Sequence, residues 1–471
     1  MIGNLFWLLI CVGVLVAFAR QPRIGAVCYL LAVLFAPYAN VADRQIRVEL
    51  VLVPLLLGLL AVGHRLRLPA PLLPFIAWAG LVATVSLAYE GESNLIELYG
   101  TMRFVAVLLI FSSIQWREHD FVRTQYIFVL TAIPMAIFAA GQALWMPWAA
   151  GLTDLAYHST NRIVFDQQLD NAEQGYGFRA IGVFENVSPA AMYFVTALAV
   201  GTLLFLTVRR SANVNHGTCG GQVSVQGRGS WRYLRDLPTS RLLVGLAAAI
   251  GGGLSTLSAT FFAGSVVGLS GGALLCPTKR RGLARGLVVM AAPAMVAVAV
   301  WQSGQRLDSL SAQFQYQWER VVNGTFFESR YGRGDAVLGD AIKEIAEEPL
   351  LGHGIKVTQT FRGDSLYVWA VYVSGYLGSL LLFGGVANCA VLSLRQGLPG
   401  RVALLWTLVV CTCGLGCVSL LAFRFGDWWW ATQGMIVSIV QDRTLAASAG
   451  PARKASTCLG RGPCVLPRQT G

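Results

Sequence analysis

The chain has 471 residues, of which 55% are hydrophobic and only 13% are charged, with a mean hydropathy of +0.58. A soluble protein carries about 25% charged residues, so this composition excludes a soluble globular domain. The net charge of +12 does not indicate nucleic acid as a partner, because no basic stripe interleaved with aromatic residues lies on a soluble segment.

The apolar residues form blocks of the length that a helix needs to cross a hydrocarbon core about 30 Å thick. Strands of a β-barrel would be shorter and would alternate in polarity. We therefore predict an all-α fold, a polytopic integral membrane bundle of 12 or 13 transmembrane helices over 1–443, with a disordered cytoplasmic tail at 444–471. In chain order the predicted spans are 3–19, 24–40, 48–63, 71–89, 102–114, 126–148, 187–208, 242–258, 260–276, 287–301, 366–394, 402–422 and 428–441.

The distribution of lysine and arginine predicts the orientation. If the spans alternate, the connections on one side carry 23 of the 36 basic residues, and the other side carries 20 of the 24 acidic residues. We assign the basic side to the cytoplasm. Because Arg20 and Arg23 follow the first span, the N-terminus is predicted to be external and the C-terminus cytoplasmic.

Three connections are long. The loops 149–186 and 302–363 fall on the external side, and 209–241, rich in Gly, Ser and Arg, is cytoplasmic. Within the second external loop, 305–321 and 335–348 have apolar residues at helical spacing, which predicts amphipathic helices on the membrane surface. The alternative is that these helices simply cap the bundle. None of the ten cysteines lies in either external loop, which argues against a disulfide framework.

Positive charges cluster in the external loops, although such charge is scarce on that side. They are Arg330, Arg333, Lys356 and Arg362, together with Arg162 and Arg179. A guanidinium group binds phosphate oxygens through two parallel hydrogen bonds and keeps its charge, so the cluster suits a polyanionic ligand such as a lipid pyrophosphate. The alternative is that these cations reach lipid headgroups or pair with nearby acids.

Short motifs follow one another in the second half of the chain. After Arg330 come Pro349-Leu350-Leu351-Gly352-His353-Gly354, then Asp364-Ser365-Leu366-Tyr367 and Gly375-Tyr376-Leu377-Gly378. An Arg-x-x-Gly-x-Phe-x-Asn segment runs earlier, from Arg179 to Asn186. In order and placement these motifs resemble the signature regions of the O-antigen ligase and polysaccharide polymerase family.

The chain also departs from the family pattern. Gly334 stands where a Trp is often found, and Ser258-Ala259-Thr260 lacks the Arg that often begins a middle span. Asp364 replaces the His of the ligase His-Asn pair, which favours the polymerases over the lipid A ligases.

The resemblance implies a metal-independent membrane glycosyltransferase of the bacterial cytoplasmic (inner) membrane, without a cofactor. Such enzymes join a glycan carried on undecaprenyl diphosphate to an acceptor hydroxyl at the outer face, and the polymerases join repeat units to each other. The implied partners are the undecaprenyl-diphosphate-linked oligosaccharide, membrane lipids, a chain-length regulator and export proteins.

Three roles need residues. Arg179 and Arg330 are the candidates to stabilise the leaving diphosphate, with Arg333, Arg362 and Lys356 behind them. Asp364 is the first candidate for the general base and His353 the second. The candidates for acceptor binding are Ser365, Tyr367, Trp318 and Trp369.

Each candidate has an ordinary structural alternative. Asp364 and Ser365 form a good N-cap pair, and His353 lies in a turn between two glycines. Tyr367, Trp369 and the run 428–430 also fit an interfacial aromatic belt.

Two other function classes stay open beside the ligase reaction. A flippase or exporter of lipid-linked glycan would share the span count, but transporters carry broken helices and ionisable groups at mid-membrane depth. The predicted spans have few such groups, with Glu49 near a span end and Arg103 at an edge. The third class is a non-catalytic assembly partner.

Overall fold

The computed structural model describes residues 2–41, 44–88, 95–144, 146–156, 166–168, 170, 179–184, 186–216, 237–256, 258–276, 339–355, 365–422 and 424–448. These residues form an α-helical bundle with one short antiparallel β-hairpin, which confirms the predicted helical class. Five helices are long and apolar enough to cross a membrane, namely Ala70–Ala88, Leu95–Ser113, Glu118–Ala143, Val187–Val208 and Leu366–Leu394. Six shorter apolar helices accompany them.

The first half of the chain begins with three helices, the second and third joined by the hairpin. These are α1 (Ile2–Arg20), α2 (Pro22–Phe35), β1 (Ala39–Val41), β2 (Arg44–Ile46) and α3 (Val48–Val62). A 3-10 turn (Ala70–Leu72) leads into α4 (Leu73–Ala88), followed by α5 (Leu95–Ser113), α6 (Glu118–Ala143) and α7 (Pro147–Ala156).

The second half adds long helices and one short one. These are α8 (Val187–His216), α9 (Thr239–Ser255), α10 (Ala259–Leu275) and the short α11 (Gly339–Glu347). They are followed by α12 (Leu366–Leu394), α13 (Gly397–Cys413), a 3-10 turn (Ser419–Leu421) and α14 (Gly426–Ser448).

Twelve of the thirteen predicted spans coincide with a helix, and the span 287–301 lies outside the described residues. So does the predicted surface helix 305–321. Within the other predicted range, 335–348, the structure has the helix α11, and its place on the membrane surface stays a prediction. Ala341 and Ile345 of α11 are buried, and the helix packs against α12.

One predicted limit changes the interpretation of a charge. The span predicted at 102–114 begins instead at Leu95, so Arg103 is the ninth residue of α5 and not an edge residue. Glu97 lies in the first turn of α5 and lowers its hydropathy, so the predicted span omitted the first two turns. The prediction that Arg103 lies at a span edge is therefore wrong, because a charge within a span is tolerated where it is paired inside the bundle.

The connections within the described residues group at two ends of the bundle, in agreement with the predicted alternation. At one end, which we call the basic end, arginines contact side chains of other connections. Three contacts are salt bridges, Arg23–Asp120, Arg67–Asp442 and Arg443–Glu118, and one is a hydrogen bond from Arg443 to Gln396. We call the other end, which contains the β-hairpin, the hairpin end. Its segments are joined by hydrogen bonds from Arg424 to the Leu34 carbonyl, from the Ile355 N–H to Ser86 Oγ, from the Leu366 N–H to the Gly414 carbonyl and from the Ala180 N–H to the Ser255 carbonyl. Each of these contacts joins segments that the charge pattern assigns to one side. That the basic end faces the cytoplasm stays a prediction.

The tryptophan run at the start of α14 lies in the core. Trp428, Trp429 and Trp430 are each 0% exposed, and Phe75 packs edge-on against Trp430 with ring centroids 4.9 Å apart. Interfacial belt residues face lipid headgroups, so the belt interpretation of this run is wrong.

Candidate functional site

Helix α12 is interrupted at Gly375, where φ is 61° and ψ is −172°. An interruption leaves backbone groups without their helical partners, and such groups must find others when buried. The segment 349–355, which we call the glycine loop, supplies them. The N–H groups of His353 and Gly354 donate to the carbonyl oxygens of Tyr372 and Val373 at 2.8 and 3.0 Å.

Hydrogen bonds also run from the helix to the loop. Beyond the interruption, the N–H groups of Tyr376 and Leu377 donate to the carbonyl oxygens of Pro349 and Leu350 at 2.8 and 3.2 Å. The loop therefore satisfies backbone groups on both sides of Gly375. The two glycine motifs of the sequence form one interlocked unit at the hairpin end.

The glycines of this unit are required by space and by backbone conformation. Gly352 and Gly354 have φ values of 74° and 67°, in the left-handed region that favours glycine. A Cβ atom at Gly375 would overlap the carbonyl of Leu350, and one at Gly352 would overlap the backbone of Gly375. The close approach of the two backbones explains why glycines recur in both motifs.

His353 is part of this loop and is 6% exposed. Its Nε2 lies 2.7 Å from the carbonyl oxygen of Glu344, and because a carbonyl only accepts, Nε2 donates. The Tyr372 ring lies 5.1 Å from the imidazole, and the Tyr372 hydroxyl donates to Glu344 Oε2 at 2.8 Å. His353 thus joins α11 to α12, and its role as a base stays a prediction.

The residues that flank 356–364 are each hydrogen-bonded to another part of the bundle. The N–H of Ile355 donates to Ser86 Oγ at 2.9 Å, and the N–H of Leu366 donates to the carbonyl of Gly414 at 2.8 Å. Ser365 is the N-cap of α12, but its hydroxyl makes no capping bond and lies 3.4 Å from the Gly414 carbonyl.

Two predicted aromatic platform residues follow at the start of α12. The Tyr367 hydroxyl donates to the carbonyl of Cys411 at 2.7 Å, and its ring stacks on Phe383 with centroids 5.3 Å apart. Trp369 is 9% exposed and packs near Trp78. Both residues brace α12 against its neighbours, and sugar binding by Tyr367 stays a prediction.

Arg179 is half-buried at the same end of the bundle. Its Nε lies 3.4 Å from the carbonyl of Thr256, between α9 and α10. Three residues on, Gly182 has a φ of 60° and exchanges two hydrogen bonds with the amide of Gln142, at 2.9 and 3.2 Å. These bonds hold the Arg179 turn against the end of α6.

The remaining predicted site residues lie outside the described residues, and their roles stay predictions. They are Arg330, Arg333, Lys356, Arg362, Asp364 and Trp318, together with Arg162. Across the described ranges, no group of three or more His, Cys, Asp or Glu side chains is arranged to hold a metal ion.

A buried ionic cluster that the sequence analysis missed lies near the hairpin end. Arg103 Nη1 lies 3.2 Å from Glu49 Oε1, and Nη2 lies 2.9 Å from Asp427 Oδ2. The hydroxyl of Tyr29 donates to Asp427 Oδ1 at 2.7 Å. The side chains of Arg103, Glu49 and Asp427 are 0%, 3% and 0% exposed. We call these three residues the triad, and with Tyr29 they join α2, α3, α5 and α14.

Two further arginines lie close to the triad in sequence. Arg47 Nε lies 3.9 Å from Glu49 Oε1. Arg424, with a left-handed φ of 68°, donates from Nη1 to the carbonyl of Leu34 at 2.8 Å and lies 5.2 Å from the centre of the Tyr38 ring. The signal that would have found this cluster is an isolated charge in an apolar run, because such charges are paired or functional.

Comparison with known proteins adds no relative. No protein-family model matches the chain, and a search of curated proteins finds no match. The resemblance to the O-antigen ligase and polysaccharide polymerase family rests on the motifs and stays a prediction.

Proposed function

We propose that this protein polymerises undecaprenyl-diphosphate-linked oligosaccharide repeat units at the outer face of the cytoplasmic membrane. The observation that carries the proposal is the anchoring of the segment 356–364 at both of its flanks. Ile355 is bonded to Ser86, and Leu366 is bonded to Gly414, so both flanks lie at the hairpin end. This segment contains the predicted base and two predicted phosphate-binding cations.

The chemistry requires one bond to form and one to break. The acceptor hydroxyl oxygen attacks the anomeric carbon of the donor sugar, and the bond from that carbon to the diphosphate oxygen breaks. Asp364 takes the hydroxyl proton. The diphosphate leaves with the bonding electrons, and Arg179 and Arg330 stabilise its developing charge. Arg179 is half-buried and bound to the Thr256 carbonyl, which agrees with a positioned guanidinium group.

The interior of the bundle is a poor alternative for this chemistry. The triad is fully buried, and its ionic groups are bonded to one another. The interruption of α12 is closed by backbone hydrogen bonds from the glycine loop. The polar groups of the triad and of the α12 interruption are already bonded within the protein. The surface of the hairpin end is therefore the better place for a polyanionic substrate.

The test is complementation of a deletion strain with Arg330→Ala, Asp364→Asn and Arg179→Ala. We expect secreted polymer to fall by about 10²–10³-fold in each variant, since removing one preorganised group commonly has this effect on the rate. Single lipid-linked repeat units should accumulate on the outer face. The measurements are polymer size, the mass of lipid-linked units and the level of membrane protein.

Lys343→Ala is the matched control. Lys343 lies on α11, is 65% exposed and pairs with the exposed Asp340 at 3.2 Å, so its loss should leave polymer unchanged. Normal polymer from Arg330→Ala and Asp364→Asn would contradict the proposed site. Transfer of whole chains to a lipid acceptor, with chain length preserved, would indicate the ligase reaction instead.

A second candidate is translocation of the lipid-linked glycan. Two observations favour it, the ionisable triad inside the bundle and the broken helix α12, because transporters share both features. Repeat units trapped on the inner face of the deletion strain would support translocation and contradict polymerisation.

A further inference from the structure

A cleft of about 610 Å³ opens at the basic end, opposite the proposed catalytic end. It lies between the end of α1, the turn after α3 and the end of α5. Its lining includes four arginines, Arg20, Arg23, Arg65 and Arg67, together with His64. Nothing in the proposed polymerase reaction uses this cleft.

The cleft has a surplus of positive charge. Arg23 pairs with Asp120 at 3.1 Å, and Arg67 pairs with Asp442 at 3.6 Å. Arg20 and Arg65 are exposed, and no described acid lies within ion-pair distance of either. Among the described residues, two guanidinium charges of the cleft are therefore left for an external anion. Binding of an anion would reduce the electrostatic repulsion among the four arginines of the cleft.

The turn after α3 orients part of this lining. His64 has a φ of 49°, and the N–H of Arg65 donates back to the carbonyl of Leu60 at 2.9 Å. This is the position after a helix C-terminus where glycine is usual. Here a histidine occupies it, and its side chain lines the cleft beside Arg65.

The same cleft has apolar surroundings. Leu60 and Ile114 line it, and on α3 the neighbouring Leu59 and Val62 are 41% and 82% exposed. In a membrane-spanning bundle such an exposed apolar face lies against acyl chains. A lipid whose phosphate group is bound by the arginines would therefore have its acyl chains along α3.

We propose that this cleft binds the phosphate headgroup of an anionic membrane lipid. Arginine forks match phosphate oxygens, and basic pockets between transmembrane helices bind such headgroups. The shared chemistry is that of any phosphate, so a soluble phosphate is the other source. The apolar neighbours of the cleft favour the lipid.

The test uses the full chain, purified in a non-ionic detergent and titrated with short-chain phosphatidylglycerol or phosphatidylcholine. Thermal unfolding is followed by the fluorescence of the chain's 13 tryptophans. We compare Arg20→Gln/Arg65→Gln with the charge-matched Arg241→Gln/Arg395→Gln. Arg241 and Arg395 are exposed and lie outside the cleft lining.

Phosphatidylglycerol should raise the unfolding temperature of the parent and of the control, and phosphatidylcholine should not. The apparent affinity of phosphatidylglycerol should be roughly 30-fold weaker for Arg20→Gln/Arg65→Gln, because each arginine removed contributes about 1 kcal/mol to binding. Equal affinities for the two double variants would overturn the site. A shift by inorganic phosphate as large as that by phosphatidylglycerol would overturn the lipid assignment.

Discussion

Charged side chains are buried and paired near the hairpin end of the bundle, whereas they are partly exposed at the basic end. Near the hairpin end, Arg103 is enclosed between Glu49 and Asp427, with no side chain more than 3% exposed. At the basic end, Arg67 and Asp442 face each other at 3.6 Å with 39% and 35% of their side chains exposed. The first arrangement joins helices, and the second borders an open cleft.

The difference follows from solvation. A charge removed from water must be matched by a partner and by hydrogen bonds, because its desolvation is costly. A charge left at the surface stays hydrated and needs no partner. Buried charge is therefore nearly balanced near the hairpin end, while surplus arginines are tolerated at the basic end and remain available to an anion.

The largest expected effect is loss of the triad's cation. Arg103→Met removes the cation that both buried carboxylates share and leaves Asp427 with the Tyr29 hydroxyl and Glu49 with Arg47 at 3.9 Å. We expect the free energy of unfolding to fall by about 3–5 kcal/mol. The measurement is thermal or denaturant unfolding in detergent, with the yield of folded protein. The variant Glu49→Gln/Arg103→Met/Asp427→Asn should recover most of the loss, because it buries no net charge. A triple variant as unstable as the single one would break the comparison.

The next effect concerns the closure of α12. Gly375→Ala places a side chain at a φ of 61° and against the Leu350 carbonyl, so we expect a loss of roughly 1–3 kcal/mol in stability. The control is Gly384→Ala in the same helix, where a Cβ would meet nothing within 4 Å. It should be neutral or slightly stabilising. Equal unfolding temperatures for the two variants would mean that the glycine loop does not seal the helix.

The smallest effect should come from the exposed pair at the basic end. A double-mutant cycle with Arg67→Met and Asp442→Asn should give a coupling of about 0.2–1 kcal/mol. High salt should reduce it, because the pair is hydrated. A coupling as large as the effect of Arg103→Met would contradict the distinction between the two ends.

Much of the fold was predictable because the membrane imposes a simple rule. A span must be apolar over enough length, so blocks such as 187–208 and 366–394 could be identified from composition. Hydropathy failed where charges are paired inside the bundle. Span 102–114 began too late because Glu97 lowers the hydropathy of the first turns of α5, and Arg103 was assigned to a span edge because its partners are 54 and 324 residues away.

The candidate site was predictable only in part. The glycine motifs were visible in the sequence, but their interlocking across Gly375 depends on a loop that is separated from the helix by ten residues. His353 looked like a free turn residue, and the fold bonds it to the Glu344 carbonyl. The tryptophan run 428–430 looked interfacial, and the fold buries it completely.

The sequence by itself determined that the chain has long apolar helices, and it predicted a membrane protein whose connections divide into a basic and an acidic group. Hydrophobic length and charge counts are properties of each segment alone, so they need no knowledge of neighbours. Only the tertiary structure decided that Arg103 meets Glu49 and Asp427, and that four arginines border one cleft. The reason is that ion pairs, loop closure and clefts depend on distances between segments far apart in the chain.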